Sequence, residues 1–72
     1  MNSLNLKYDI ESIVYLVTDE DQRARMIVRV DVRKDNNKNY MVMYELSLGS
    51  ESSWHYDYEF TSDKNVLTKI LN

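Results

Sequence analysis

RARMIVRVDVR, Arg23 to Arg33, is the stretch that decides the fold. Met26, Val28, Val30 and Val32 occupy alternate positions, and Ile27, Arg29, Asp31 and Arg33 fill the gaps between them. Successive side chains of a strand point to opposite faces, so this alternation predicts a β-strand with one apolar face. The segments on either side read the same way. SIVYLVT, Ser12 to Thr18, is rich in β-branched and aromatic residues and stops at the polar run DEDQ. NYMVMYELSLG, Asn39 to Gly49, sets Tyr40, Val42, Tyr44, Leu46 and Leu48 against Met41, Met43, Glu45 and Ser47. KDNNKN between the two is suited to a hairpin loop, because Asn tolerates left-handed backbone. Gly49 and the serines of GSESS make the next turn.

SSWHYDYEF, Ser52 to Phe60, supplies a fourth alternation. Trp54, Tyr56, Tyr58 and Phe60 share one face, and His55, Asp57 and Glu59 the other. Strands are thus expected near 12–18, 24–33, 39–48 and 53–60. Leu4, Leu6, Tyr8 and Ile10 form a short edge strand or an arm packed on the domain. From Thr61 the period changes, and Val66, Leu67, Ile70 and Leu71 recur at helical spacing. A short helix over 62–71 is expected, with a final strand over 65–70 as the alternative. Short strands joined by hairpins make an antiparallel meander. Its edges are best managed by curling into a small barrel. The expected filling is Val14, Leu16, Met26, Val28, Val30, Tyr44, Leu46 and Phe60.

At 72 residues the chain is one domain, 1–72, with a small core. It has no cysteine and one histidine, so disulfides, Cys-ligated zinc and His-rich metal sites are excluded. Self-association is then a natural way to add buried surface. Residues 1–22 hold no apolar run of signal-peptide length, and no segment approaches a membrane span. A soluble cytoplasmic protein with no membrane partner is expected. The net charge of −3 is unevenly placed. Arg23, Arg25, Arg29, Arg33, Lys34 and Lys38 face only Asp31 and Asp35 within residues 23–38, and the segments on either side are acidic.

The run VYLVTDEDQRARMIVRV, with YELSLG and then WHYDYEF, resembles small uncharacterised bacterial and phage proteins of the SH3-like barrel type. Their layout is similar to KOW-like and Tudor-like domains. Thr18, Asp19, Gln22 and Arg25 stand at matching places, and Glu11-Ser12 occupies the position of a Gly-Asp turn. The resemblance covers roughly residues 10–60. It implies an all-β SH3-like antiparallel barrel, to which the helical spacing after Thr61 adds a short C-terminal helix, together with a binding or scaffold role and no enzyme activity.

Three candidate surfaces follow. The rings of the fourth alternation, Trp54 and above all Phe60, are expected first as core or cross-strand packing; Tyr15, Trp54 and Tyr56 are the candidate platform for a protein or peptide ligand, since exposed rings near loops stack on partners. Arg23, Arg25, Arg29 and Arg33 are the alternative, a nucleic-acid surface, which the overall acidity disfavours. Ile27, Met41 and Met43 lie on the nominally outer face and form the expected homodimer interface, or else are covered by the C-terminal helix. No catalytic residue, metal or cofactor is expected. His55, Asp57 and Glu59 stand nearly 7 Å apart in sequence along one strand face, too spread for a common ion. No serine or threonine has a recognisable base partner. DEDQ reads as a polar turn, because it lacks the length and the glycine of a calcium loop.

Overall fold

A computed structural model of the chain describes residues 6–64. They form five antiparallel strands and almost no helix: β1 (Ile13–Leu16), β2 (Arg25–Lys34), β3 (Tyr40–Leu48), β4 (Glu51–Tyr56) and β5 (Phe60–Thr61). A single 3-10 turn, Asp57–Glu59, joins the last two. The strand order is β4-β3-β2-β1-β5. The edge strands are therefore neighbours in sequence. In a flat sheet they would stand about 19 Å apart. The four steps from Tyr56 to Phe60 span at most about 14 Å, and a 3-10 turn less. The sheet must curl.

A β-bulge in β2 changes which side chains face inward. Ile27 pairs with Leu46, but the next partner, Glu45, faces Arg29, so Val28 is an extra residue. Before the bulge Ile27 points into the core and is wholly buried. After it Val30 packs against that core. Val28 and Met26 are instead 36% and 39% exposed. The inward places expected for Met26 and Val28 are thus corrected. Ile27, expected at an outer interface, is at the centre of the molecule. The core is Val14, Leu16, Ile27, Tyr44, Leu46 and Phe60, flanked by Tyr8, Val30 and Val42.

The expected strand over 53–60 is two strands. β4 ends at Tyr56 because Glu59 folds back and accepts the Tyr56 N–H through Oε2 at 2.8 Å. Phe60 then leaves the turn on β5 and pairs with Leu16. As a result Tyr58 is 74% exposed while Phe60 is 2% exposed. The N-terminal segment behaves as an arm: Tyr8 sets its ring on Tyr44 and Phe60 at centroid distances of 5.8 and 5.0 Å. The helix expected over 62–71 lies, from residue 65 onward, outside the described residues.

Side chains shape the turns. Asp35 Oδ1 accepts the N–H groups of Asn37 and Asn39 in the β2–β3 loop. The left-handed residue there is Lys38, at φ 65°, rather than an asparagine. Gly49, at φ 63°, opens the two-residue β3–β4 turn. Asp19 accepts the N–H groups of Asp21 and Arg23, which makes DEDQ the expected polar turn. Glu11 is left-handed too, at φ 76°. It lies where the resemblance places glycine, and its N–H donates to the Ile27 carbonyl at 2.7 Å. A residue with a Cβ is strained there by roughly 1–2 kcal/mol. Glycine loses more backbone entropy on folding, which offsets part of the relief. Glu11→Gly is accordingly expected to stabilise the fold by about 0.5–1 kcal/mol. An unchanged or lower urea midpoint would show that the turn carries no such strain.

Candidate functional site on the outer face

The alternation that sends Tyr44 and Leu46 inward sends Met43 and Glu45 outward on β3, beside Arg29 and Asp31 of β2. On the other side they meet Trp54 and Tyr56 of β4. This outer face carries an open groove of about 590 Å³, lined by Arg29, Val30, Asp31, Arg33, Met43 and Trp54. Met43 gives it an apolar lining. Trp54, 40% exposed, lines it as well.

Glu45 organises the groove. Its side chain is only 9% exposed, yet it is an acid at the centre of a strand. Arg29 Nε donates to Oε1 at 2.6 Å, and Ser52 Oγ donates to Oε2 at 2.7 Å. These hydrogen bonds, Arg29 first, hold the Glu45 carboxyl below its ordinary pKa, and Glu45 in turn raises that of Arg29. The carboxylate is therefore ionised at neutral pH and fixes the guanidinium. The same guanidinium lies over the Trp54 ring, 5.9 Å from its centroid. An arginine clamped by an acid and set against an indole is a preformed surface, with little side-chain freedom left to lose on binding.

Of the expected platform residues, Trp54 and Tyr56 share the outer face of β4, and Tyr15 lies apart on β1. Trp54 belongs to this groove. Tyr56 stacks on Tyr58, 5.4 Å between centroids and 6° from parallel. Tyr15 is on β1, paired with Thr61 of β5, and has Lys64 over its ring at 5.8 Å. Among the described residues no ring contact joins Tyr15 to Trp54 or Tyr56. Met41, 42% exposed, and half-buried Met43 share the outer face, without Ile27.

The four arginines do not form a free basic stripe. Arg23 and Arg25 both approach Asp19 Oδ2, at 3.3 and 3.7 Å. That carboxyl is lowered in pKa, chiefly by the Arg23 backbone N–H. Arg33 pairs with Asp31 at 2.8 Å. Arg25 lies on the inner side opposite Val14, with its Nε buried and unpartnered among the described residues. Each of the four arginines already has a carboxylate beside it.

A second polar cluster sits on the other face of β4. Ser53 Oγ is 2.6 Å from His55 Nε2, and His55 Nδ1 is 3.0 Å from Glu59 Oε1. The Tyr56 N–H, and then His55, lower the Glu59 pKa. Sequence spacing hid this base partner for Ser53, because only the 3-10 turn brings Glu59 back to His55. The chain of hydrogen bonds ties β4 to the turn at the corner before β5, on the face opposite the groove. Among the described residues no three His, Cys, Asp or Glu side chains gather as metal ligands. Among them, too, no helix is long and apolar enough to cross a membrane.

Reasoning from sequence missed Glu45, and with it the clamp that ties Arg29 to Ser52 beside Trp54. An acid between Tyr44 and Leu46 was the available signal for Glu45. Its partner could not be named without the register across the bulge. Comparison with family models, curated proteins and solved structures finds no match for this chain.

Proposed function

We propose that this chain is a non-catalytic binding module of the SH3-like type, which takes an extended segment of a protein or peptide in the outer-face groove. The single observation that carries the reading is the half-exposed Trp54 ring beside a guanidinium that Glu45 holds in place. Exposed aromatic and arginine anchors dominate the energetics of binding surfaces. Met43 supplies apolar contact, and Arg33 and Asp31 at the groove's end supply polar selectivity. The curled meander, its edge strands joined by one short turn, supports the small-barrel part of the reading.

The test is selection from a displayed peptide library against the intact chain. Enriched peptides should perturb the fluorescence of Trp54, the sole tryptophan. Trp54→Ala should weaken them about 30-fold or more, the effect of losing one anchor of about 2 kcal/mol. Tyr15→Ala should leave them unaffected. No enrichment, or equal loss in both variants, would reject the groove as the site.

A further inference from the structure

The two edges of the sheet differ. β5 has two residues, too short to template anything. β4 has six, ESSWHY, with no lysine, no proline and no bulge. Those are the usual devices that keep an exposed edge from pairing with another strand.

Two observations fix which backbone groups this edge presents. The Gly49–Ser50 turn is closed by the Leu48–Glu51 pair, and a two-residue hairpin turn bonds its flanking residues to each other. Glu51, and with it Ser53 and His55, therefore direct their N–H and C=O groups toward β3. Tyr56 agrees, since its N–H goes to Glu59 and not to β3. By the period of two, Ser52 and Trp54 direct theirs outward. Among the described residues, no backbone group takes them.

We infer that β4 pairs with β4 of a second copy, antiparallel, about a two-fold axis through Ser53. In this register Ser52 and Trp54 of one copy exchange N–H···O bonds with the partner's Trp54 and the partner's Ser52, four bonds in all. Moving the axis to Trp54 would call on the Tyr56 N–H, which Glu59 already holds. Moving it to Ser52 would set Trp54 against a residue of the turn. Charge also favours a second copy through Ser53: Glu51 then lies opposite the partner's His55, never opposite another acid. On the outer face the two Trp54 rings become diagonal neighbours, a spacing that aromatic side chains bridge. The pairing continues one sheet across both copies, and it does not depend on the peptide-binding reading.

Sedimentation of the intact chain at rising concentration should show twice the 8.6 kDa mass, with a parallel change in Trp54 emission. Ser53→Lys should return it to monomer, because like charges then meet on the axis, while Ser53→Ala, which loses the same His55 contact without adding charge, should stay dimeric. Register is tested in a chain that has no cysteine of its own. Ser53 faces the partner's Ser53 as a non-hydrogen-bonded pair, about 4.5 Å between Cα atoms, within reach of a disulfide. Ser53→Cys should cross-link readily on oxidation, and Glu51→Cys at least tenfold less. A strict monomer at millimolar concentration overturns the inference and leaves the edge to an extended strand of another protein. Equal cross-linking at 51 and 53 overturns it as well, since that is random collision.

Discussion

Ile27→Ala is expected to remove about 2–5 kcal/mol of folding stability, and Val28→Ala less than about 1. The two residues are adjacent, β-branched and apolar, so propensity alone treats them nearly alike. The bulge separates them. Ile27 is fully enclosed between β1, β3 and β5 side chains, while Val28 is the extra residue that β3 leaves without a partner. Truncating Ile27 opens a cavity in a core of six buried residues, with few neighbours able to collapse into it. Truncating Val28 removes a side chain that is already partly in water. Urea titrations of both variants, and of Met26→Ala as a second exposed position, decide the matter. If Val28 or Met26 proves the costlier site, the strand has no bulge and its apolar face is Met26, Val28, Val30 and Val32. The wild-type chain holds roughly 4–11 kcal/mol in total. Ile27→Ala therefore threatens folding at ambient temperature.

The same bulge explains how far the sequence could be read. β3 has no irregularity, and plain alternation assigns Tyr44 and Leu46 inward and Met41, Met43 and Glu45 outward, as observed. β2 alternates just as cleanly on paper. A bulge at a residue other than glycine leaves no mark in a single sequence, because its cause lies in the partner strand and in the curl of the sheet. One inserted residue then reverses the faces on one side of it. For the same reason the site was half legible. Trp54 stands out as a ring at a strand entrance, and Phe60 as the ring of that run best placed for the core. The clamp between Arg29 and Glu45 depends on a register that counts across Val28. The turn at Asp57–Glu59 was hidden by four aromatics at alternate positions, which mimic one strand. What breaks that strand is a side-chain hydrogen bond, Glu59 to the Tyr56 N–H, and periodicity does not encode it.

Phe60→Ala is expected to cost about 3–5 kcal/mol, enough to lower the melting temperature by more than roughly 12 °C. β5 has only two residues, paired as Leu16–Phe60 and Tyr15–Thr61, and one further backbone bond, Val17 N–H to the Glu59 carbonyl at 2.9 Å. So short a ladder cannot hold the end of the sheet in place. The ring can. Phe60 meets Tyr44 edge-on at 5.5 Å and Tyr8 at 5.0 Å, and Tyr8 meets Tyr44 edge-on at 5.8 Å, which closes a triangle of three aromatics. Such pairs add about 0.5–1.5 kcal/mol each beyond the area they bury. The triangle joins the N-terminal arm, the middle of β3 and β5, segments that share no other strand pairing. Removing Phe60 should therefore release the arm as well as β5. Amide exchange near residues 8–12 and 60–61 should accelerate together, and Thr61→Ala, on the exposed side of the same strand, should change neither. A loss below about 1 kcal/mol with Tyr8 still protected would mean that the sheet keeps its curl without the ring. The corner would then be held by Glu59, through His55 and the Tyr56 N–H, rather than by aromatic packing.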